Sequence, residues 1–223
     1  MAPSGPPSSG DAAEADRAQW AELTGKSGAP INVSPVHRLR ISGPGPSGVT
    51  ALPTDNHPVN RARGEAILQG RWKFGHASIE TPPGHSPWGP DFPSLHFADR
   101  IHRFHWLRDL AAMGVEGETR ACALVAAWVE AYGKWEDFAW RLSITADRVI
   151  NFLSAGPWLF SRMEGEDRAH LLETLGRQIR HLQFSAPDET DPVSRFRIAV
   201  ALSLAGAATE MAARRWMWVW LCS

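Results

Sequence analysis

The residues best suited to chemistry in this 223-residue chain are concentrated in one stretch, RIHRFHWLRDL, at 100–110. His102 and His105 stand three apart, a spacing that places two imidazoles on one helix face and can chelate a metal. Asp109 one turn further on, or His96 ahead of the stretch, would extend such a set. The competing expectation is a pair of histidines held in a helix-packing seam, and no metal site is assigned. Arg100, Arg103 and Arg108 supply planar forks for carboxylate or sulfate groups. Arg100 and Arg103 share a face from which Arg108 is rotated, so an anion grip competes here with an ordinary solvated face.

Tryptophan is the second unusual signal, with eleven in the chain. Flat indole faces pack on sugar rings while the N–H takes a polar partner. Trp88, in the loop TPPGHSPWGPDFP, is placed to meet a ligand, as are Trp135 and Trp140, which flank a helix connection. Trp106, Trp128 and Trp158 fall within or beside apolar stripes and read as core. Near Trp140 lie Arg141, Arg148 and Asn151; the last two are one helical turn apart and suit the carboxylate of a uronic acid. The alternative for Arg148 is a buried arginine tying a loop to a helix through backbone carbonyls. With His105 added, the candidate substrate-binding set is Trp88, His105, Trp135, Trp140, Arg141, Arg148 and Asn151. Arg177, Arg180 and His181 lie toward the C-terminal end of a helix opened by Glu166 and Asp167, an arrangement that complements the helix dipole.

Composition excludes some classes. A net charge of -1 lacks the electrostatic footprint of a general nucleic-acid binder. Cys122 and Cys222 belong to no CxxC or Cys/His pattern, so neither a disulfide framework nor a zinc module is expected. TGKSG at 24–28 has the ending of a phosphate-binding loop, but the first glycine of that loop would stand where Trp20 is. No cofactor is expected. No stretch reaches the ~18 apolar residues of a bilayer span, and no basic start followed by an apolar run marks a secretory signal. The expected location is cytoplasmic, or periplasmic if translation starts elsewhere.

The elements that must position these side chains are helical. Residues 1–60 hold 9 of the 17 prolines and 7 of the 19 glycines and are expected to be loosely ordered. A short ordered entry follows at AILQGRWKF. Asp99 can cap a helix carrying Ile101, Phe104, Leu107 and Leu110 and ending at Gly114. Further helices fit Glu118 to Tyr132, Ser143 or Thr145 to just before Pro157, Glu166 to Phe184, and Pro192 onward. Five helices with no convincing strand predict an all-α domain over 61–213. The last ten residues, RRWMWVWLCS, alternate at period two and form an atypical tail over 214–223.

In this order, AILQGRWKF, the Pro-Trp pair at 87 and 88, LHFADRIHRFHWLRDLAA, WVEAYGKWEDFAWR and RVINFLSAGPWLF resemble the N-terminal helical part of bacterial heparinase II/III-like proteins over roughly residues 60–210. The resemblance implies an incomplete (α/α) toroid of helix hairpins and a polysaccharide lyase that cuts uronic-acid chains by β-elimination, with an acidic polysaccharide or oligosaccharide as partner. It also implies that the catalytic residues lie beyond this chain, since its only tyrosine, Tyr132, matches no catalytic position. The chain then reads as a truncated, inactive member. The alternative is a non-catalytic helical module that binds carbohydrate or protein.

Overall fold

A computed structural model of the chain describes residues 35–50, 57–89 and 91–211. Trp20, the TGKSG segment and the tail at 214–223 lie outside these residues. The described chain is mostly helical, with nine α-helices: α1 (Pro35–Ile41), α2 (Arg61–Leu68), α3 (Leu95–His102), α4 (Leu107–Ala111), α5 (Val115–Tyr132), α6 (Leu142–Ser154), α7 (Gly156–Arg162), α8 (Gly165–Ser185) and α9 (Pro192–Ala208). α6 sits at the centre and packs against α3, α7, α8 and α9, while α5 packs on α4, α7 and α8.

The boundaries follow from local chemistry. The Asp191 carboxylate accepts from Ser194 N at 2.7 Å and caps α9, with Pro192 in its first turn. Gly114, at φ 71°, opens α5, and Gly133 closes it. Two glycines are fixed by crowding rather than by dihedral. A Cβ on Gly117 would lie 1.8 Å from Leu110 O, and one on Gly64 would lie 2.4 Å from Asp109 O, so α5 and α2 both approach the α4 backbone closely.

Two expectations need correction. First, there is a β-hairpin: β1 (Arg71–Phe74) pairs antiparallel with β2 (Ala77–Glu80), Trp72 opposite Ile79. Its alternation is real but only four residues long, with Trp72 and Phe74 buried and Arg71 and Lys73 exposed. The hairpin is anchored by tertiary contacts, Trp72 edge-on to Trp106 at 5.3 Å and Phe74 to Phe97 at 5.1 Å. Second, the helix expected from Asp99 to Gly114 is two helices. Ser94, not Asp99, caps the first, accepting from Phe97 N at 3.1 Å. The break falls inside RIHRFHWLRDL.

The segment at 35–50 forms a strap over the helical body. The Arg180 guanidinium donates to three carbonyls at the end of α1 and just beyond: Ile41 at 2.7 Å, Gly43 at 2.8 Å and Pro44 at 2.9 Å. Gly45 then crosses α8 so closely that a Cβ would lie 2.1 Å from Leu172 O. Beyond it, Thr50 N donates to Ala208 O at 2.8 Å, and Ser47 donates to the Glu210 carboxylate through its N–H at 2.6 Å and its hydroxyl at 2.8 Å.

Candidate functional site

The break between α3 and α4 is where most of the unusual chemistry collects. Phe104 has φ 62° and is the one non-glycine residue with positive φ among those described. A bulky side chain adopts that region only when its surroundings impose it, at a cost of about 1–3 kcal/mol. Here the surroundings are explicit. A helix end leaves carbonyls without partners, and three side chains supply them. Trp106 Nε1 donates to Ile101 O at 3.0 Å, Arg148 donates to His102 O at 3.1 Å, and Asn151 Nδ2 donates to Arg103 O at 2.9 Å. The Phe104 ring is buried against Trp106, Trp128 and Phe152 at 4.9, 5.4 and 4.8 Å.

Arg148 is fully buried. Its guanidinium lies 4.3 Å from the centre of the Trp128 ring and also donates to Thr145 Oγ1 at 3.2 Å and Gln178 Oε1 at 3.3 Å. Burial pushes its pKa down to about 9, against the opposing pull of the Glu136 carboxylate. A guanidinium tolerates this site because its charge is delocalised and stacked on an aromatic face. Trp128 Nε1 donates to His102 Nδ1 at 3.0 Å. Burial, followed by the nearby Arg148 charge, holds the His102 imidazole well below its ordinary pKa, so it is neutral.

On the outer side of the break the arrangement is different. Arg103 forms a fork on Asp99, at 2.6 and 2.7 Å, and also donates to Asp147 at 2.6 Å and Ser143 O at 2.9 Å. Burial alone would lower the Arg103 pKa, but hydrogen bonds and charge from Asp99 and Asp147 outweigh it and raise it. Asp147 also has His105 Nε2 at 3.4 Å and Arg197, from α9, at 3.6 Å. Burial would raise its carboxyl, but hydrogen bonds from His105 and Arg103 outweigh that and hold it below the usual range. Arg108 donates to Asn151 Oδ1 at 2.9 Å. Ser143, Asp147 and Asn151 recur every four residues along one face of α6 and form the floor of this cluster.

The candidate residues therefore separate into distinct settings. Trp88 is half-buried, donates to Leu124 O at 2.8 Å and stacks on His102 and Phe104 at 5.8 and 5.7 Å. Trp140 is 1% exposed and donates to Tyr132 O at 2.8 Å. Trp135 is half-buried, with its indole N–H on Asp137 at 2.6 Å. Arg148 and Asn151 are buried and each donates to one backbone carbonyl at the α3 end, Arg148 to His102 O and Asn151 to Arg103 O. Arg141 is exposed, 5.0 Å from the Phe138 ring centre, and His105 is half-exposed on Asp147. His105 and Asn151 are brought into one cluster, whereas Trp135 and Trp140 belong to another, around His181.

The shared histidine face is also corrected. The left-handed Phe104 sends His102 into the core and His105 outward, so the two do not converge, and no group of three or more potential ligands is assembled among the described residues. Asp147 and Arg197 were not singled out from the sequence, and Arg180 was read there only as complementing the helix dipole. Their roles depend on contacts more than forty positions away, a distance no local spacing reports.

No family model and no solved structure matches the chain. The sequence is 36% identical over 172 residues to "FtsZ-localized protein C" of Caulobacter vibrioides (strain NA1000 / CB15N), covering 76% of this chain. The chain spans 29% of the length of that relative. This overturns the resemblance to heparinase II/III-like proteins and, with it, the polysaccharide lyase reading and its acidic-sugar partner: the similarity found lies instead with a protein named for its localisation to FtsZ, and no lyase family model matches. The motif chain that suggested the resemblance is largely the core just described, a set of buried aromatics and capping arginines that packing alone explains. No helix among the described residues is long and apolar enough to cross a membrane.

Proposed function

We propose that this chain is an α-helical protein-docking module of an FtsZ-localised assembly and works without a catalytic centre of its own. The observation that carries the reading is the 36% identity over 172 residues to FtsZ-localized protein C. Its physical support is that the indole N–H groups of Trp88, Trp106, Trp128, Trp135 and Trp140 are all spent on internal acceptors. Arg148 is likewise committed inside the protein. Such a body is suited to be a scaffold that recognises a partner through its outer side chains. In this reading 61–213 is the helical domain, whose hairpins form part of an incomplete (α/α) ring, flanked by 1–60 and by the tail at 214–223. Among the candidate residues, His105 and Arg141 face outward and are the ones for partner contact. The protein acts in the compartment where FtsZ polymerises.

Co-sedimentation with purified FtsZ tests this directly. The chain is expected in the pellet when GTP supports polymerisation and in the supernatant with GDP. Equal sedimentation in both conditions, or none in either, would refute the reading.

A further inference from the structure

The strap at 35–50 is held mainly by polar groups. Of its residues only Ile41 and Pro46 are buried. Ordering such a segment costs backbone entropy at every residue, and little apolar burial offsets it here. A segment of this kind opens on its own, more readily than the helices beneath it. What seats it is therefore a short set of anchors: Arg180 on three carbonyls, Thr50 on Ala208 O, Ser47 on Glu210 and, at the other end, His37 on His181.

The last of these anchors has room for one hydrogen between two rings. His181 Nε2 lies 2.9 Å from Trp140 O, an acceptor, so it carries the hydrogen of the neutral ring and leaves Nδ1 as a lone pair. His37 Nε2 donates to that lone pair at 3.1 Å, and the Ser185 hydroxyl, 3.3 Å from it, can turn to either role. Trp135 completes the wedge, edge-on to His37 at 5.1 Å and to His181 at 4.8 Å. One proton added to His181 requires His37 to exchange its tautomer. A second leaves two N–H groups facing each other across the same gap. The charges acting on the pair are cationic, Arg40 of α1 on His37 and Arg148 of α6 on His181. The carboxylates of the flanking segments are engaged elsewhere: Asp137 accepts the Trp135 indole N–H at 2.6 Å, Glu136 accepts from Ala139 N at 2.6 Å, and Glu173 pairs with Arg177. Burial first, and these cations second, hold both imidazoles below their ordinary pKa, His181 at about 4.

We infer that the strap is an acid-released latch: protonation of the His37–His181 pair detaches residues 35–50 from α8 while the helical body stays folded, baring Trp135, His181 and the α8 backbone from Leu172 to Gly176. In the detached form both imidazoles titrate near the ordinary value of about 6.5, so protons collect on the open form first. The latch is thus fully closed above about 6.5 and weakens as pH falls toward 4. Between about pH 7.5 and pH 5, His181 alone raises the open fraction roughly thirty-fold. The other acid-sensitive anchor gives way only at lower pH, because hydrogen bonds from Ser47 hold the Glu210 carboxyl below its usual range. The inference goes beyond the proposed function, since it requires no FtsZ.

The test is hydrogen exchange of the full chain, followed from about pH 7.5 to about pH 5 and corrected for intrinsic rates. Protection at 35–50, the Thr50 amide included, is expected to fall roughly thirty-fold while α6 and α8 keep theirs. His181→Gln is expected to remove the fall. His37→Gln is expected to reduce it, because an amide can accept from a protonated His181 as well as donate to a neutral one. Glu210→Gln is expected to leave it unchanged. Circular dichroism at neutral pH checks that each variant folds, and His37→Gln, on the half-buried strap side, decides the matter if His181→Gln does not. Overturning results are a strap without protection at neutral pH, protection that is constant with pH, and a loss shared equally by α6 and α8. So are a fall that persists undiminished in both histidine variants and one that vanishes in Glu210→Gln. Release of the strap without FtsZ co-sedimentation leaves this inference standing and removes the proposed function; the converse removes only this inference.

Discussion

Two regions of the molecule use opposite compositions for the same task of holding helices together. The wall around Phe104 is dense in Trp, Arg and His, and it is stabilised by aromatic contact and by side chains that satisfy the end of α3. The strap at 35–50 is rich in Pro, Gly and Ser. It is held by one arginine reading three carbonyls and by a glycine that lets two backbones touch. Residues with the strongest ligand-binding reputation were spent on packing, and a segment with the composition of disorder became a docked element. Composition reports what a residue can do, whereas burial decides what it does.

The largest expected effect lies in the wall. Trp128→Ala removes the ring beneath Arg148 and the donor on His102, and is expected to cost about 3–5 kcal/mol in urea denaturation. A loss below about 1 kcal/mol would show that the wall is not the core of the molecule.

The next effect is a pH dependence at the seam between the regions. His181 donates through Nε2 to Trp140 O at 2.9 Å, and its Nδ1 accepts from His37 Nε2 of the strap at 3.1 Å. Burial, with smaller contributions from His37 and Arg148, lowers its pKa to about 4 from the usual 6.5, against the Trp140 carbonyl, which raises it. As pH falls, the unfolded chain takes up this proton first. The contribution is thus fully present above about 6.5 and is lost as pH drops toward 4, amounting to roughly 3 kcal/mol. His102, also lowered, adds to the slope in the same direction. Urea midpoints at neutral and acidic pH should converge partly in His181→Gln; an unchanged drop would place the titration elsewhere.

Gly45→Val addresses the strap alone. Its Cβ would meet Leu172 O at 2.1 Å, and overpacking of this kind costs about 1–3 kcal/mol. Hydrogen exchange at 35–50 should accelerate while the helical body keeps its protection, and uniform protection throughout would mean the crossing is not what seats the strap. The smallest effect is expected from Trp88→Phe. It preserves the stacking on His102 and Phe104 but deletes the bond to Leu124 O, for about 1 kcal/mol. A much larger loss would make the indole N–H more important to the wall than its ring.

The sequence by itself determined the long helices. α5, α8 and α9 fall close to where periodicity and caps put them, because eighteen or so residues of amphipathic pattern outweigh any single contact. Tertiary structure decided the short elements and the site. The 100–110 stretch is apolar at helical spacing, yet it breaks at Phe104 because Arg148 and Asn151, more than forty residues away, offer the α3 carbonyls partners that a continuing helix would have filled itself. The hairpin at 71–80 and the seating of the strap are of the same kind, each too short to carry its own signal and each stabilised by a surface that exists only once α3, α4 and α8 have assembled. α9 lies between these cases, with Ser194, Ile198, Ala201, Ala205 and Ala208 buried on one face and Val193 and Phe196 exposed on another. Its period is written in the sequence, but which of two apolar faces turns outward is settled only by the choice of α6 and α8 as neighbours.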